Sequence, residues 1–186
     1  MVSAVNRYYQ YNCRLLPEIR LADTAAIEPP YLHKKRTPGE YIFYLIRRGE
    51  MYLSENEILY HLLPGDLLIL DPDRTHVGRK ATCCEYYYVH FQYESLKPVE
   101  LTDDALREAL ETQREKTLRM DSGKRSREKQ EILLLPKYIH LASDAGYRGL
   151  TQLLNDGIAF DNSPMEGGEA LCASRILEAL INVSRQ

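Results

Sequence analysis

The stretch LLPGDLLILDPDRTH, Leu62 to His76, ends in a lone histidine after an acidic, proline-containing turn. An imidazole can bind a metal, move a proton or anchor a polar ligand. One imidazole does not hold zinc or iron usefully, because stable sites need three or four protein ligands. Proton transfer or ligand anchoring therefore remains, against the plainer reading of a histidine that satisfies a backbone carbonyl. Arg36, at the end of Lys34-Lys35-Arg36, offers five fixed donors suited to hydroxyls, carboxylates or phosphates. Its alternative is a solvated cation. In EYYYVHFQY, a period of two puts Tyr86, Tyr88, His90 and Gln92 on one face and Tyr87, Val89, Phe91 and Tyr93 on the other. The first set mixes rings with hydroxyl and imidazole groups, which suits stacking on a sugar with hydrogen bonds around its edge. The competing assignment buries Tyr87, Val89 and Phe91 in a dry core and leaves the Tyr86 set exposed.

Other chemistries find little support. No G-x-S-x-G, Walker loop or G-x-G-x-x-G occurs. Cys83-Cys84 adjoins no helix start that would activate a thiol. Asp71 and Asp73 sit in a turn, where a solvated loop is the ordinary explanation. His33, His61 and His140 have no partners identifiable from spacing.

These side chains belong to 186 residues with ordinary globular balance, 44% hydrophobic and 27% charged. Tyrosine stands out, at 14 against 3 Phe and no Trp, and fits either contact surfaces or half-exposed strands. A net charge of −3 argues against a nucleic-acid footprint in this chain. No apolar run reaches transmembrane length, and MVSAVNRYYQYNCRLL lacks the apolar core of a secretory signal. Four cysteines without ligand spacing or a disulfide pattern point to a reducing, cytoplasmic compartment.

The elements that must position the candidates follow from turns and periodicity. Residues 1–35 read as irregular with one strand. Tyr41 to Arg48 is a strand, and MYLSENEILYHLL is a hairpin with Ser54 to Glu57 at its tip. Pro64-Gly65 makes a type II turn into a buried strand, Leu67 to Leu70. After the long strand around Tyr86, Thr102 caps a charged helix, DALREALETQREKTLR, and DSGKRSREK is a polar loop. EILLL up to Pro136 is one more strand. Two helices follow, the first with Leu150, Leu153, Leu154 and Ile158 as its apolar stripe. The second is expected to start at SPME, with Ser163 as cap, Pro164 at the first position and Glu166 closing a capping box. Gly167-Gly168 is a weak spot near that start. Ala170, Ala173, Leu177 and Leu180 form its seam. Strands then helices argue for a β-sandwich or barrel with a helical appendage.

YIFYLIRRGE, LLPGDLLILDPDRTH and YYYVHF, in this order, resemble the N-terminal cupin domain of AraC-type transcription regulators, and LLPKYIHL with two helices resembles that family's dimerization region. The resemblance implies a mainly β fold with C-terminal helices: a double-stranded β-helix (jelly-roll) barrel over residues 1–100, then a helical region over 101–186 packed on it. It implies a small-molecule effector, often a sugar, held in the barrel, with no cofactor and no catalysis. The candidate ligand-binding residues are Arg36, His76, Tyr86, Tyr88 and His90, Arg36 standing where the family often uses arginine. The homodimer contact would use Leu150, Leu153, Leu154, Ala173, Leu177 and Leu180, although the same stripe could pack onto its own barrel. DNA binding would belong to a helix-turn-helix domain absent from this chain. Enzymatic cupins hold a metal with His-x-His and a Glu, but those positions fall near residues 35–38 and at Ile42, so no metal is expected. The alternatives are a metal-free cupin enzyme such as a sugar isomerase or epimerase, using His76 or a tyrosine as acid/base, and a metal-dependent dioxygenase.

Overall fold

The computed structural model describes residues 5–119 and 131–186. The loop expected at DSGKRSREK lies outside the described residues. Eleven strands and three helices appear among those described. β1 (Val5–Asn12) and β2 (Glu18–Ile27) occupy the region expected to be largely irregular. β3 (Tyr41–Gly49), β4 (Met51–Glu55), β5 (Ile58–Leu62), β6 (Asp66–Leu70), β7 (His76–Lys80) and β8 (Cys84–Gln92) follow. β9 (Lys97–Thr102) leads into α1 (Asp103–Arg119), then come β10 (Ile132–Pro136), β11 (Tyr138–His140), α2 (Asp144–Asp161) and α3 (Gly168–Val183).

Turn chemistry sets the strand limits. The β4–β5 hairpin turns on Asn56 and Glu57, both at positive φ, the pairing of a two-residue loop whose twist matches its strands. Gly49 has φ +72, and a Cβ there would meet the Cys83 carbonyl oxygen at 2.0 Å, so only glycine can close β3 against the start of β8. Thr102 caps α1 through its hydroxyl, which accepts from Ala105 N–H. The last helix starts later than expected. Gly167 takes a left-handed φ of +76 and is the N-cap, with no side-chain hydrogen bond, so the capping box at Ser163 does not form. A left-handed residue interrupts any helix running from Pro164, and α3 restarts at Gly168.

The strands form three sheets: β10-β1-β9, β11-β6-β3-β8-β2 and β5-β4-β7. No sheet closes on itself among the described residues, so the expected closed barrel is instead an open stack of sheets. The five-stranded sheet is central and buried on both faces. One face presents Phe43, Leu45, Leu67, Ile69, Tyr87, Val89 and Phe91 to the β1 side and the helices. The other presents Ile42, Tyr44, Ile46, Leu68, Leu70 and Tyr86 to Met51 and Leu53 of the small sheet. Residues beyond 100 join this stack, since β10 pairs with β1 and β11 with β6.

The helical stripe is spent within the chain. Leu150, Leu153, Leu154 and Leu180 belong to the core beneath the central sheet, Ala173 is buried, and Leu177 packs against the same core. Five of the six residues expected at the dimer contact are thus buried in the chain's own core, while Leu177 is half-buried at its edge. Gly157 lets the helices approach, because a Cβ there would stand 3.3 Å from Ile176.

A buried ionic cluster joins the layers. Lys137 Nζ lies 2.6 Å from Glu55 and 2.9 Å from Asp71, and donates to the Ile69 carbonyl at 2.8 Å. Asp71 also accepts from the Tyr9 hydroxyl at 2.8 Å and pairs with Arg7 and Arg74. Glu55 accepts the backbone N–H of Asp71 at 2.7 Å. Burial pushes the Asp71 carboxyl up, but Lys137, Tyr9 and Arg7 outweigh it, and it titrates below its ordinary value. Asp71, expected to be solvated, is 1% exposed. Lys137→Met should lower unfolding free energy by about 3–5 kcal/mol, because buried Glu55 loses its counter-ion and Asp71 keeps only Arg7 and Arg74. Urea denaturation measures this, and a change below about 1 kcal/mol would contradict the role given to Lys137.

Candidate ligand-binding cleft

The space between the central sheet and β5-β4-β7 has two unlike halves. One is packed with Ile42, Ile46, Met51, Leu53, Leu62, Leu68 and Leu70. The other is polar and aromatic. Tyr86, Tyr88 and His90 project into it from β8, so that strand turns its tyrosine–histidine face to the cleft and its Tyr87–Val89–Phe91 face to the helices. Both faces are covered, which is why Tyr87 and Tyr86 are each buried on opposite sides of one strand.

A short extended segment completes the wall. Arg36 and His76 exchange backbone hydrogen bonds at 2.9 and 3.0 Å, and Gly78 N–H donates to the His33 carbonyl at 2.9 Å. Residues 33–36 therefore run along the free edge of β7. Gly78 permits this approach, since a Cβ would meet His33 N at 2.7 Å. The segment brings in His33, which had no partner identifiable from spacing. Its Nε2 lies 3.2 Å from the Tyr86 hydroxyl, and its ring packs near those of Tyr44, Tyr86 and Tyr31. Nothing in the run YLHKKR marks His33 out; only the pairing with β7 does.

The five candidate side chains converge. Arg36 Nε donates to His76 Nε2 at 3.2 Å, and the guanidinium lies beside the Tyr44 hydroxyl. Tyr86 and Tyr88 rings are 6.1 Å apart, and Tyr88 meets His90 edge to face at 5.8 Å. His90 Nδ1 is 2.6 Å from Glu40. Arg36 is exposed and Tyr88 and His90 are half-buried, so this end reaches solvent, while His76 is 1% exposed. An open groove of about 620 Å³ lies beyond it, lined by Glu18, Tyr41, Gln92 and Lys97. It meets the cleft through Glu40. That groove holds none of the convergent histidines, so the cleft is the stronger candidate.

The charge pattern is one-sided. Burial, then Arg36, His33 and His90, push His76 down to about 4; burial, then Arg36, does the same to His33. Both rings are neutral near pH 7. With Arg36 donating to Nε2, the proton of neutral His76 stands on Nδ1. That atom is buried and unpaired. Two other buried atoms among the described residues lack a hydrogen bond, Arg7 Nε and Glu55 Oε2, and both sit in ion pairs. Burial pushes Tyr44 up to about 12 despite Arg36, and raises Tyr86 further, so the phenols remain protonated. Among the described residues no group of three or more His, Cys, Asp or Glu is placed to hold a metal ion.

These shifts set a pH dependence. A histidine whose folded pKa is about 4, against 6.5 ordinarily, binds its proton more tightly when unfolded. Its stabilising contribution is whole above about pH 6.5 and declines as pH falls towards 4. Urea unfolding between pH 7.5 and 4.5 should show this decline. His76→Gln should remove about one proton's worth of slope, and an unchanged slope would mean that folding leaves the His76 pKa where it is in the unfolded chain.

Over 61 residues, 32% of its length, this chain is 30% identical to the uncharacterized HTH-type transcriptional regulator YisR of Bacillus subtilis. That match spans 21% of YisR's length. A crystal structure of apo ToxT from Vibrio cholerae aligns with 96% of this chain and 54% of its own, at 13% identity and a TM-score of 0.35. An RmlC-like cupin protein of Methanocaldococcus jannaschii aligns with 50% of this chain and 82% of its own, at 13% identity and a TM-score of 0.37. Residues 24–142, which span β3 to β11 and every side chain of the cleft, match the AraC-like ligand binding domain. The chain belongs to that family of ligand-binding domains.

Proposed function

We propose that this chain is the effector-sensing and dimerization part of a cytoplasmic AraC-type transcription regulator, in which a small molecule enters the cleft between the sheets. Residues 1–100 supply the effector-binding sheets, and 101–186 supply the helical pair packed on them. DNA is bound by a further helix-turn-helix domain, and the regulator is a homodimer. Because the inward stripe of the helices is consumed by the chain's own core, the dimer contact falls to their outward faces. One observation carries the reading. A buried imidazole N–H without an acceptor stands beside an exposed arginine, next to the packed rings of His33, Tyr44 and Tyr86. Buried donors are normally satisfied, and an unsatisfied one here is accounted for by a guest that supplies the acceptor.

The mechanism is a shift between pre-existing arrangements. A guest that touches Arg36 and His76 favours the conformation in which residues 33–36 lie along β7. His76 is paired in register with Glu55, which bonds Asp71 and Lys137. Lys137 lies between β10 and β11, just before α2, so a change at the cleft reaches the helices through few contacts.

A thermal-shift screen of sugars and small acids, run on wild type and Arg36→Ala, tests the site. A compound that stabilises wild type, by about 2.7 kcal/mol at a hundredfold excess over its Kd, should fail on the variant. Equal stabilisation of both would remove Arg36 from the site. Light scattering tests the dimer, and a monomer at micromolar concentration would contradict it.

A further inference from the structure

The cleft's groups say more about the guest than that it is small. Arg36 makes no salt bridge with a described carboxylate; its partners are the imidazole of His76 and the hydroxyl of Tyr44. His76 offers a second donor, Nδ1–H, 99% removed from solvent and unanswered. Burial first, and then Arg36, hold the His76 ring neutral. The carboxylates nearby are committed: Glu40 to His90 at 2.6 Å, Glu55 and Asp71 to Lys137. Asp23, paired with Tyr88 at the sheet edge, accepts from Thr24 N–H. The cleft therefore holds a guanidinium that pairs with no described carboxylate, and a surplus of donors around it.

A neutral polyol is served by sites that both donate and accept around its rim, as each hydroxyl does both. A carboxylate only accepts, presents two oxygens to a guanidinium fork, and cancels a single charge. The remaining walls are the rings of Tyr44, Tyr86 and Tyr88, spaced 5.3 and 6.1 Å in sequence, which favour a flat or apolar body. We propose that the cleft takes a small monocarboxylate with an apolar or aromatic body, its oxygens held by the Arg36 guanidinium and the His76 Nδ1–H. This rests on the reading of the cleft as the effector site. It makes Arg36 and His76 the specificity-determining pair.

The test compares probes of one shape and different charge: phenylacetate, phenylacetamide and phenyl phosphate, with L-arabinose as the neutral polyol. Binding to the wild-type chain is followed by titration calorimetry and by tyrosine and histidine ring NMR signals. Phenylacetate should bind at least about tenfold more tightly than phenylacetamide, the margin expected of a charge-assisted pair. Arg36→Gln should erase that margin, and Arg36→Lys should keep part of it; ring signals that match wild type show that each variant is folded. Phenylacetamide or L-arabinose binding as tightly as phenylacetate would overturn the acid class and leave the cleft as the site. Tighter binding of phenyl phosphate would overturn the monocarboxylate in favour of a phosphoryl head. Failure of all four to move the cleft's signals would overturn both the acid and the cleft.

Discussion

A single buried ammonium group holds this fold in register. Lys137 comes from the segment between β10 and β11, yet its partners belong to β4, β6 and the turn after β6. Arg7 and Tyr9 of β1 close on the same Asp71. A charge taken out of water is tolerable only where opposite charges and hydrogen bonds meet it, so four segments distant in sequence must arrive together or not at all. The apolar layers supply most of the folding free energy, but aliphatic packing alone tolerates sliding. The ionic cluster does not. It fixes how β1 and β10 sit on the central sheet, and through the Glu55–His76 pairing it fixes where β7 begins.

The cleft inherits its character from that arrangement. His76 is buried because β7 starts beside the cluster, and it stays neutral because burial and Arg36 both oppose a second charge. Residues 33–36 reach it by pairing with a strand edge left free by an open sheet. A closed barrel would have used that edge for a ladder. The opening between sheets is thus a product of incomplete pairing, and the same edge delivers the arginine and His33. One half of the inter-sheet space remains dry and aliphatic, which gives the polar half a rigid floor.

Much of the strand framework was legible in the sequence, because turns and period-two patterns are local signals. Pro64-Gly65, the Asn56-Glu57 tip and the alternation from Tyr86 to Gln92 all lie within a few residues of what they specify. β1 and β2 were not legible: Tyr9 and Tyr11 alternate with polar residues and look like surface until β10, more than a hundred residues away, pairs with them. Asp71 reads as a turn residue because its partner Lys137 is 66 positions distant. The helical stripe at Leu150 and Leu180 was visible, but amphipathicity does not state which surface it meets. At Ser163 a locally good cap lost to the left-handed Gly167. Of the cleft, Arg36, His76, Tyr86, Tyr88 and His90 were named from spacing and resemblance, whereas His33 depended on a backbone contact with Gly78 that no local pattern encodes.

The character of the cleft turns on the state of one ring. Nitrogen-15 NMR of the histidine side chains at pH 7, in protein without added ligand, distinguishes a protonated from an unprotonated ring nitrogen. The cleft described above requires His76 to be a neutral imidazole with its proton on Nδ1 and a bare Nε2 facing Arg36. A His76 that carries its proton on Nε2, or is charged at this pH, would contradict it, since the unanswered donor that calls for a guest would then not exist.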